Sequence, residues 1–203
     1  MSSFTFTEAY LRESAELLRS LVRIDTTNPP GNEGKASDHL KNVFDSEGID
    51  CAVVGPPPRE SFIATLKGTE DKPRLLLLSH IDVVGVTDLS RWKHLPFAGD
   101  ADEEWVYGRG SSDDKFDATV EAMTMIAAKR EGWRLKGTLI YAATSDEETG
   151  GRLGAGWLTE NHPSLVKADY VLNEGGGDPV QVGGKALFSF AYGEKGIAWF
   201  KLR

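Results

Sequence analysis

The stretch Arg74–Asp82, RLLLLSHID, constrains this chain more than any other. A charged residue hands over to four consecutive leucines, then a serine, a histidine, an isoleucine and an aspartate. An apolar run of that length is too short to favour a helix and reads as a buried central strand. In open α/β sheets, ligands bind beyond the carboxyl ends of the strands, which is where His80 falls. Asp82, two residues on, shares its face if the extended conformation continues. A carboxylate behind an imidazole fixes the tautomer of a metal ligand and raises its basicity. Taken alone, His80 reads equally well as a strand end bonded to a turn, so the rest of the chain decides.

The remaining elements alternate. Thr5 and Glu8 have capping-box spacing, and apolar residues from Tyr10 to Ile24 recur near helical period, predicting a helix over about Thr7–Ile24. TTNPPG at Thr26–Gly31 stops it, because paired prolines forbid continuation. A second helix is expected over Glu33–Glu47, with Ala36, Leu40, Val43 and Phe44 on one face. Strands follow at Ile49–Val54 and Ser61–Leu66 around the Pro56–Pro58 turn. Val83–Ala101 shows no period, and long loops inside compact domains are usually functional. Beyond it come a short strand at Trp105–Tyr107, a helix at Ala118–Lys129 with Val120, Met123, Ile126 and Ala127 inward, and a buried strand at Thr138–Thr144. A helix at Leu153–Asn161, a strand at Tyr170–Leu172 and two strand-like stretches between Leu187 and Arg203 complete the chain. Strands alternating with helices predict one layered α/β domain with a mostly parallel sheet and helices on both faces.

Strand ends in this pattern carry acidic or imidazole groups: His80 and Asp82, Glu147 and Glu148, then Glu174. The short strand at Trp105–Tyr107 leads into Asp113 and Asp114. Several ionised carboxylates in one crevice repel one another and are costly to desolvate, and a divalent cation removes that cost. One histidine with several carboxylates suits zinc, with manganese or cobalt as substitutes. The adjacent pair Glu147–Glu148 lets one glutamate coordinate metal while its neighbour serves a water as general base. Glycines after each acidic cluster, Gly150–Gly151 and Gly175–Gly177, let backbone pass close to a metal or substrate.

Seven stretches in order carry a resemblance to a known family. They are TTNPPGNE (Thr26–Glu33), LLLLSHIDVV (Leu75–Val84), RWKHLPF (Arg91–Phe97), YGRGSSDDK (Tyr107–Lys115), SDEETGG (Ser145–Gly151), NEGGG (Asn173–Gly177) and GEKG (Gly193–Gly196). The chain resembles the M20 metallopeptidases, a group that includes aminoacylases, glutamate carboxypeptidase, succinyl-diaminopimelate desuccinylase, acetylornithine deacetylase and dipeptidases. The resemblance implies a zinc-peptidase-like α/β/α domain holding two zinc ions, with Co2+ or Mn2+ as possible substitutes. It implies that His80 and Glu174 bind one metal, Glu148 the other, and Asp113 bridges both. Asp82 is then the residue that orients His80, and Glu147 the general base. Asp114 aligns with a position that does not ligate. Phe116 stands where the family usually has glycine, a departure expected to alter packing beneath Asp113.

The same resemblance divides the chain into a catalytic portion over residues 1–190 and, over 191–203, a crossing into a lid or dimerisation domain. A further histidine for the second metal, and a lid histidine commonly supplied across a homodimer, are not recognisable here. His39, His94 and His162 read as surface residues. The 203-residue chain alone is accordingly expected to be a weak catalyst.

The leading reading is a metal-dependent hydrolase that cleaves the amide C–N bond of an N-acyl amino acid or small peptide. A co-catalytic zinc aminopeptidase, and a metal-binding fragment with little turnover, are the alternatives. No G-x-S-x-G elbow supports serine hydrolysis, and Gly31–Ser37 and Gly108–Gly110 lack the spacing of phosphate-binding loops. A net charge of −8 argues against nucleic acid as partner. No run approaches the ~20 apolar residues of a membrane span, the N-terminus lacks a secretory pattern, and the single Cys51 fits a reducing cytoplasm.

Overall fold

The computed structural model describes residues 5–175 and 179–187. By internal contacts these fall into two compact units that divide between Asn173 and Glu174. No helix among the described residues is long and apolar enough to cross a membrane.

The first unit is built on a five-stranded sheet. Its strands are β1 (Asp50–Val54), β2 (Ser61–Leu66), β3 (Arg74–His80), β6 (Thr138–Thr144) and β7 (Tyr170–Asn173), in spatial order β1-β2-β6-β3-β7. β6 and β7 lie parallel on either side of β3, and β2 alone runs against the rest. β4 (Asp100–Ala101) and β5 (Val106–Tyr107) form a separate antiparallel ribbon. The strand expected at Trp105–Tyr107 therefore lies outside the main sheet. Two residues cannot span a sheet layer, and their ladder is satisfied locally.

Period-two alternation assigns the two faces of the sheet. Leu139, Tyr141 and Ala143 of β6, with Phe62 and Ala64 of β2 and Leu77 of β3, join one core. Ile140 and Ala142, with Ile63 and Leu76, join the other. The first core is covered by α1 (Glu8–Val22), α2 (Gly34–Ser46) and α3 (Lys115–Arg130). The second is covered by α4 (Ala155–Asn161) and α5 (Pro163–Val166). Helices thus lie on both faces, as the alternation of elements predicts. At β6 both faces are packed and all seven residues are buried, which is why its sequence is apolar between the two terminal threonines. At about 25 cal/mol per Å² of apolar surface, this doubly covered strand anchors the unit.

Element ends differ from the sequence expectations for local reasons. Helix α1 is capped by Thr7, whose hydroxyl accepts the Tyr10 N–H at 3.4 Å, so the Thr5–Glu8 box does not form. Helix α3 begins three residues before Ala118, at Lys115. The ammonium of Lys115 is buried and donates to the carbonyls of Leu21 (3.0 Å) and Ile24 (2.8 Å), closing the end of α1. Val120 is 44% exposed, since Thr119, Ala122, Met123 and Ile126 already fill the inward arc. His39 is half-buried rather than on the surface, its ring bonded to Ser20 Oγ at 2.7 Å.

The second unit contributes a hairpin, β8 (Val180–Val182) and β9 (Lys185–Leu187), paired antiparallel. Gly183 and Gly184 make its turn with φ of 56° and 75°, a left-handed pair that only glycine adopts without cost. The expected strand-like stretches beyond Leu187, and the crossing over 191–203, lie outside the described residues.

One buried acid on α3 tests the packing. Glu121 faces the sheet, and its Oε2 has no hydrogen-bond partner among the described residues. Burial pushes its pKa from 4.5 up to about 8. The folded state then holds a proton that the unfolded chain releases, so stability falls as pH rises from about 4.5 to about 8. Glu121→Gln should flatten that slope, giving a variant more stable than the parent at pH 8 with little gain at pH 4.5. Urea midpoints at both pH values measure this, and parallel pH profiles for the two proteins would count against it.

Candidate metal centre

The parallel pairing of β3 and β6 sets His80 opposite Thr144, so both strands end at one edge. The chain beyond β6 then enters Ser145–Thr149 beside the chain beyond β3. Ile81 N–H to Thr144 O at 2.9 Å ties the two exits together. A third segment joins them: Thr27 forms a parallel bridge to Val83, and Thr26 Oγ1 donates to Ile81 O at 2.6 Å. Glu147–Thr149 forms one 3₁₀ turn, which presents Glu147 and Glu148 towards His80.

His80 is buried and sits between acceptors on both sides. Its Nδ1 lies 3.1 Å from the Asp82 carbonyl and 3.5 Å from Asp82 Oδ1. Its Nε2 lies 3.0 Å from Asp113 Oδ1 and 3.7 Å from Glu147 Oε2. A neutral imidazole has one donor nitrogen and one acceptor nitrogen. With the proton on Nδ1, held by Asp82, the Nε2 lone pair meets carboxylate oxygen. A cation between them, or a second proton on the ring, is the electrostatic solution.

Ligand atoms of His80, Asp113 and Glu148 all lie within 4.8 Å of one another. Burial, and then the charge of Asp113, holds the Glu148 carboxyl above its usual range. The donor set is therefore one that a divalent metal fits, with one imidazole nitrogen and two carboxylates already gathered. Asp113 is open to solvent, with 69% of its side chain exposed, which leaves a path by which an ion or substrate can enter.

Asp82 works from beneath. It is fully buried, and the extended conformation stops at His80, so it does not simply repeat the strand's alternation. Its Oδ1 accepts the Glu147 N–H at 3.0 Å, and its Oδ2 accepts the Glu148 N–H at 3.1 Å and Asn28 Nδ2 at 2.8 Å. Burial alone pushes its pKa up, but the bonds from His80, Asn28 and the Glu148 backbone outweigh that and hold it below the usual range.

The neighbouring acid divides the work. Asp114 is buried and its Oδ2 accepts the His80 N–H at 3.0 Å, fastening the start of α3 to the end of β3. The peptide bond between Asp113 and Asp114 is cis. Phe116 follows Asp113 by three residues on the first turn of α3. It is 50% exposed and lines an apolar groove with Leu11, Leu18, Trp105 and Met123. Glu174 directly follows β7 and opens the second unit. His94 stacks on Tyr107 at 4.1 Å with its Nδ1 3.1 Å from Asp100, and His162 is exposed near Trp157.

Four polar residues at this edge carry no role in the motif reading: Asn28, Glu33, Arg59 and Asp146. Asn28 and Glu33 sit inside TTNPPGNE, where the prolines read as a helix stop. Arg59 follows PPP with no signal of its own.

The profile of Peptidase family M20/M25/M40 matches residues 76–188. The chain is similar to aminoacylase-1 of Mus musculus, 30% identical over 93% of this chain and 46% of that protein. Its fold resembles an M20 family metallo-carboxypeptidase, Sso-CP2, from Sulfolobus solfataricus, with a TM-score of 0.70 and 23% identity over 81% of this chain and 38% of that one. It also resembles the YXEP protein of Bacillus subtilis, described as a dinuclear metal binding peptidase, with a TM-score of 0.61 and 21% identity over 86% of this chain and 46% of that one. The chain thus spans about half the length of such relatives. With more than half of its residues inside the family profile, and with its strand-edge acids gathered around His80, this chain belongs to peptidase family M20/M25/M40.

Proposed function

We propose that the full-length protein is a metal-dependent hydrolase that cleaves the amide C–N bond of N-acyl amino acids or small peptides. The observation that carries the reading is His80, with Nδ1 engaged by Asp82 and Nε2 turned towards Asp113 and Glu147. The likeness to an aminoacylase and to metal-binding peptidases supports the substrate class and the metal. His80, Asp113 and Glu148, joined by Glu174, would hold zinc, two ions per complete site, with Co2+ or Mn2+ as substitutes. Bound there, the metal supplies Lewis-acid polarisation of the scissile carbonyl and lowers the pKa of water.

The residues of this chain supply the rest. Glu147 is half exposed and its backbone is fixed by Asp82, so its carboxylate meets a water at the open side of the site. It takes a proton as the water oxygen bonds to the carbonyl carbon. When the C–N bond breaks, the same carboxyl returns the proton to the departing amine nitrogen. Asp82 keeps the Nδ1–H tautomer of His80 and leaves Nε2 free to ligate. Domain division at residue 190, a lid and a homodimer are part of the same proposal.

Glu147→Gln should leave metal content nearly intact and lower kcat by at least ~10²-fold, the usual scale of general acid–base catalysis. Glu148→Gln should instead weaken metal binding. Zinc analysis and single-turnover rates on the full-length enzyme separate the two; metal loss in Glu147→Gln with normal turnover per bound ion would exchange their roles. Hydrolysis of N-acetyl amino acids over free-amine dipeptides is expected, and the opposite preference would favour the aminopeptidase alternative.

Asp82→Asn puts an amide N–H where Asp82 now accepts backbone N–H groups and faces His80. Metal affinity should fall by about 10–100-fold, as for other residues behind a metal ligand. Competition with a chromogenic chelator measures it, and unchanged affinity would detach Asp82 from the metal site.

A further inference from the structure

We propose that Arg59 and Glu33 are positioning residues for the reaction, holding the Glu147–Glu148 turn through Asp146. The proposal rests on the reading of Glu147 as proton carrier and Glu148 as metal ligand.

Glu33 occupies the N-cap position of α2 yet makes no side-chain bond to that helix. An acid at an N-cap ordinarily serves its own helix. Here the fully buried carboxylate is spent elsewhere. Its Oε2 accepts Arg59 Nε at 2.6 Å, and its Oε1 accepts Arg59 Nη2 at 2.8 Å and the Asp146 N–H at 3.2 Å. The guanidinium therefore grips Glu33 with two nitrogens. Its Nη2 also reaches Asp146 Oδ1 at 2.9 Å, and its Nη1 reaches Pro30 O at 3.1 Å. Only a planar fork bridges two carboxylates in this way.

Asp146 is the one non-glycine among the described residues with positive φ, at 68°. An aspartate tolerates that conformation, though it seldom adopts it unsupported. The support is complete: Arg59 on Oδ1, the Leu153 N–H on Oδ2 at 2.9 Å, and Glu33 on the backbone N–H. Ser145 Oγ donates to the Arg59 carbonyl at 2.7 Å, so the Arg59 backbone is tied to this turn as well. A Cβ at Gly154 would collide with the Ser145 carbonyl, which closes the loop from its far side. The next two residues after Asp146 are Glu147 and Glu148, whose N–H groups end on Asp82. Asn28 joins the two anchors, bonding Asp82 at 2.8 Å and Thr149 Oγ1 at 3.0 Å. The reactive turn is thus held at one end by the residue behind His80 and at the other by the Glu33–Arg59 pair.

The test uses the full-length enzyme in its zinc and cobalt forms, with Arg59→Lys, Asp146→Asn and the double variant. A lysine keeps the charge beside Glu33 but cannot bridge to Asp146. Arg59→Lys should lower kcat by about 10–100-fold, the scale of a misplaced catalytic group, with KM changed by less than about twofold. The cobalt absorption bands should shift, because Glu148 moves with the turn. Losses in the double variant should not multiply, as expected for residues acting through one contact. Should Arg59→Lys lose its fold, Glu33→Gln carries the same measurements with the shape of the side chain kept. Unchanged kcat and cobalt bands, or fully multiplicative losses, would overturn the positioning role alone. A parent enzyme that binds no cobalt would overturn the metal-centre reading and this proposal with it.

Discussion

The site depends on one buried carboxylate. Asp82 has no contact with solvent, and burying an ionised carboxylate costs several kcal/mol. Three hydrogen bonds, from the Glu147 and Glu148 N–H groups and from Asn28, together with the imidazole of His80, return that cost. At roughly 1.5–3 kcal/mol for each bond to a charged group, they match it. These partners come from three segments, so the energy that keeps Asp82 ionised also assembles the site. Three chain exits, after β3, after β6 and before α2, meet on a single side chain.

Above Asp82 the balance is reversed. Asp113, Glu147 and Glu148 crowd around the Nε2 face of His80, and the Glu148 carboxyl is pushed up by burial and by the Asp113 charge. The protein has satisfied the lower half of this edge with its own donors and left the upper half rich in acceptors. That asymmetry is what a cation site requires: rigid beneath, electron-rich and open above. The two layers of helices serve it indirectly, because a strand packed on both faces has no freedom to shift register. Lys115 and Asp114 tie the start of α3 to the ends of α1 and β3 by hydrogen bonds, which brings Asp113 to the edge.

Much of this was legible along the chain. The leucine run, the seven-residue β6 and the alternation of strands with helices follow from apolar period and turn residues, which are local properties. His80, Asp82, Glu147 and Glu148 are legible as acids and an imidazole beyond strand ends, and they converge because the parallel strands β3 and β6 end on the same side; Asp113 joins them through the start of α3, which Asp114 ties to β3. The differences have equally physical causes. Thr5 and Glu8 have the spacing of a cap, but Thr7 competes for the same helix end and its hydroxyl is the one in reach. Val120 fits the helical period, yet α3 has more apolar residues than its inward arc can hold. The β8–β9 hairpin turns on Gly183–Gly184 between strands of three residues each, too short for a period to mark them.

By itself the sequence determined the elements, the faces they bury and the residue types at the sheet's edge, since these depend on spacing of a few residues. Only the tertiary structure decided which of those residues touch. Arg59 is distant in sequence from both Glu33 and Asp146, and no period or motif links them; they meet because β2 packs beside β6 and α2 begins next to the Pro56–Pro58 turn. The same holds for Asp82, which looked like the partner of His80 alone and proved to hold the Glu147–Glu148 turn as well. Hydrogen bonds to backbone N–H groups leave no mark on the sequence, because every residue but proline offers the same donor.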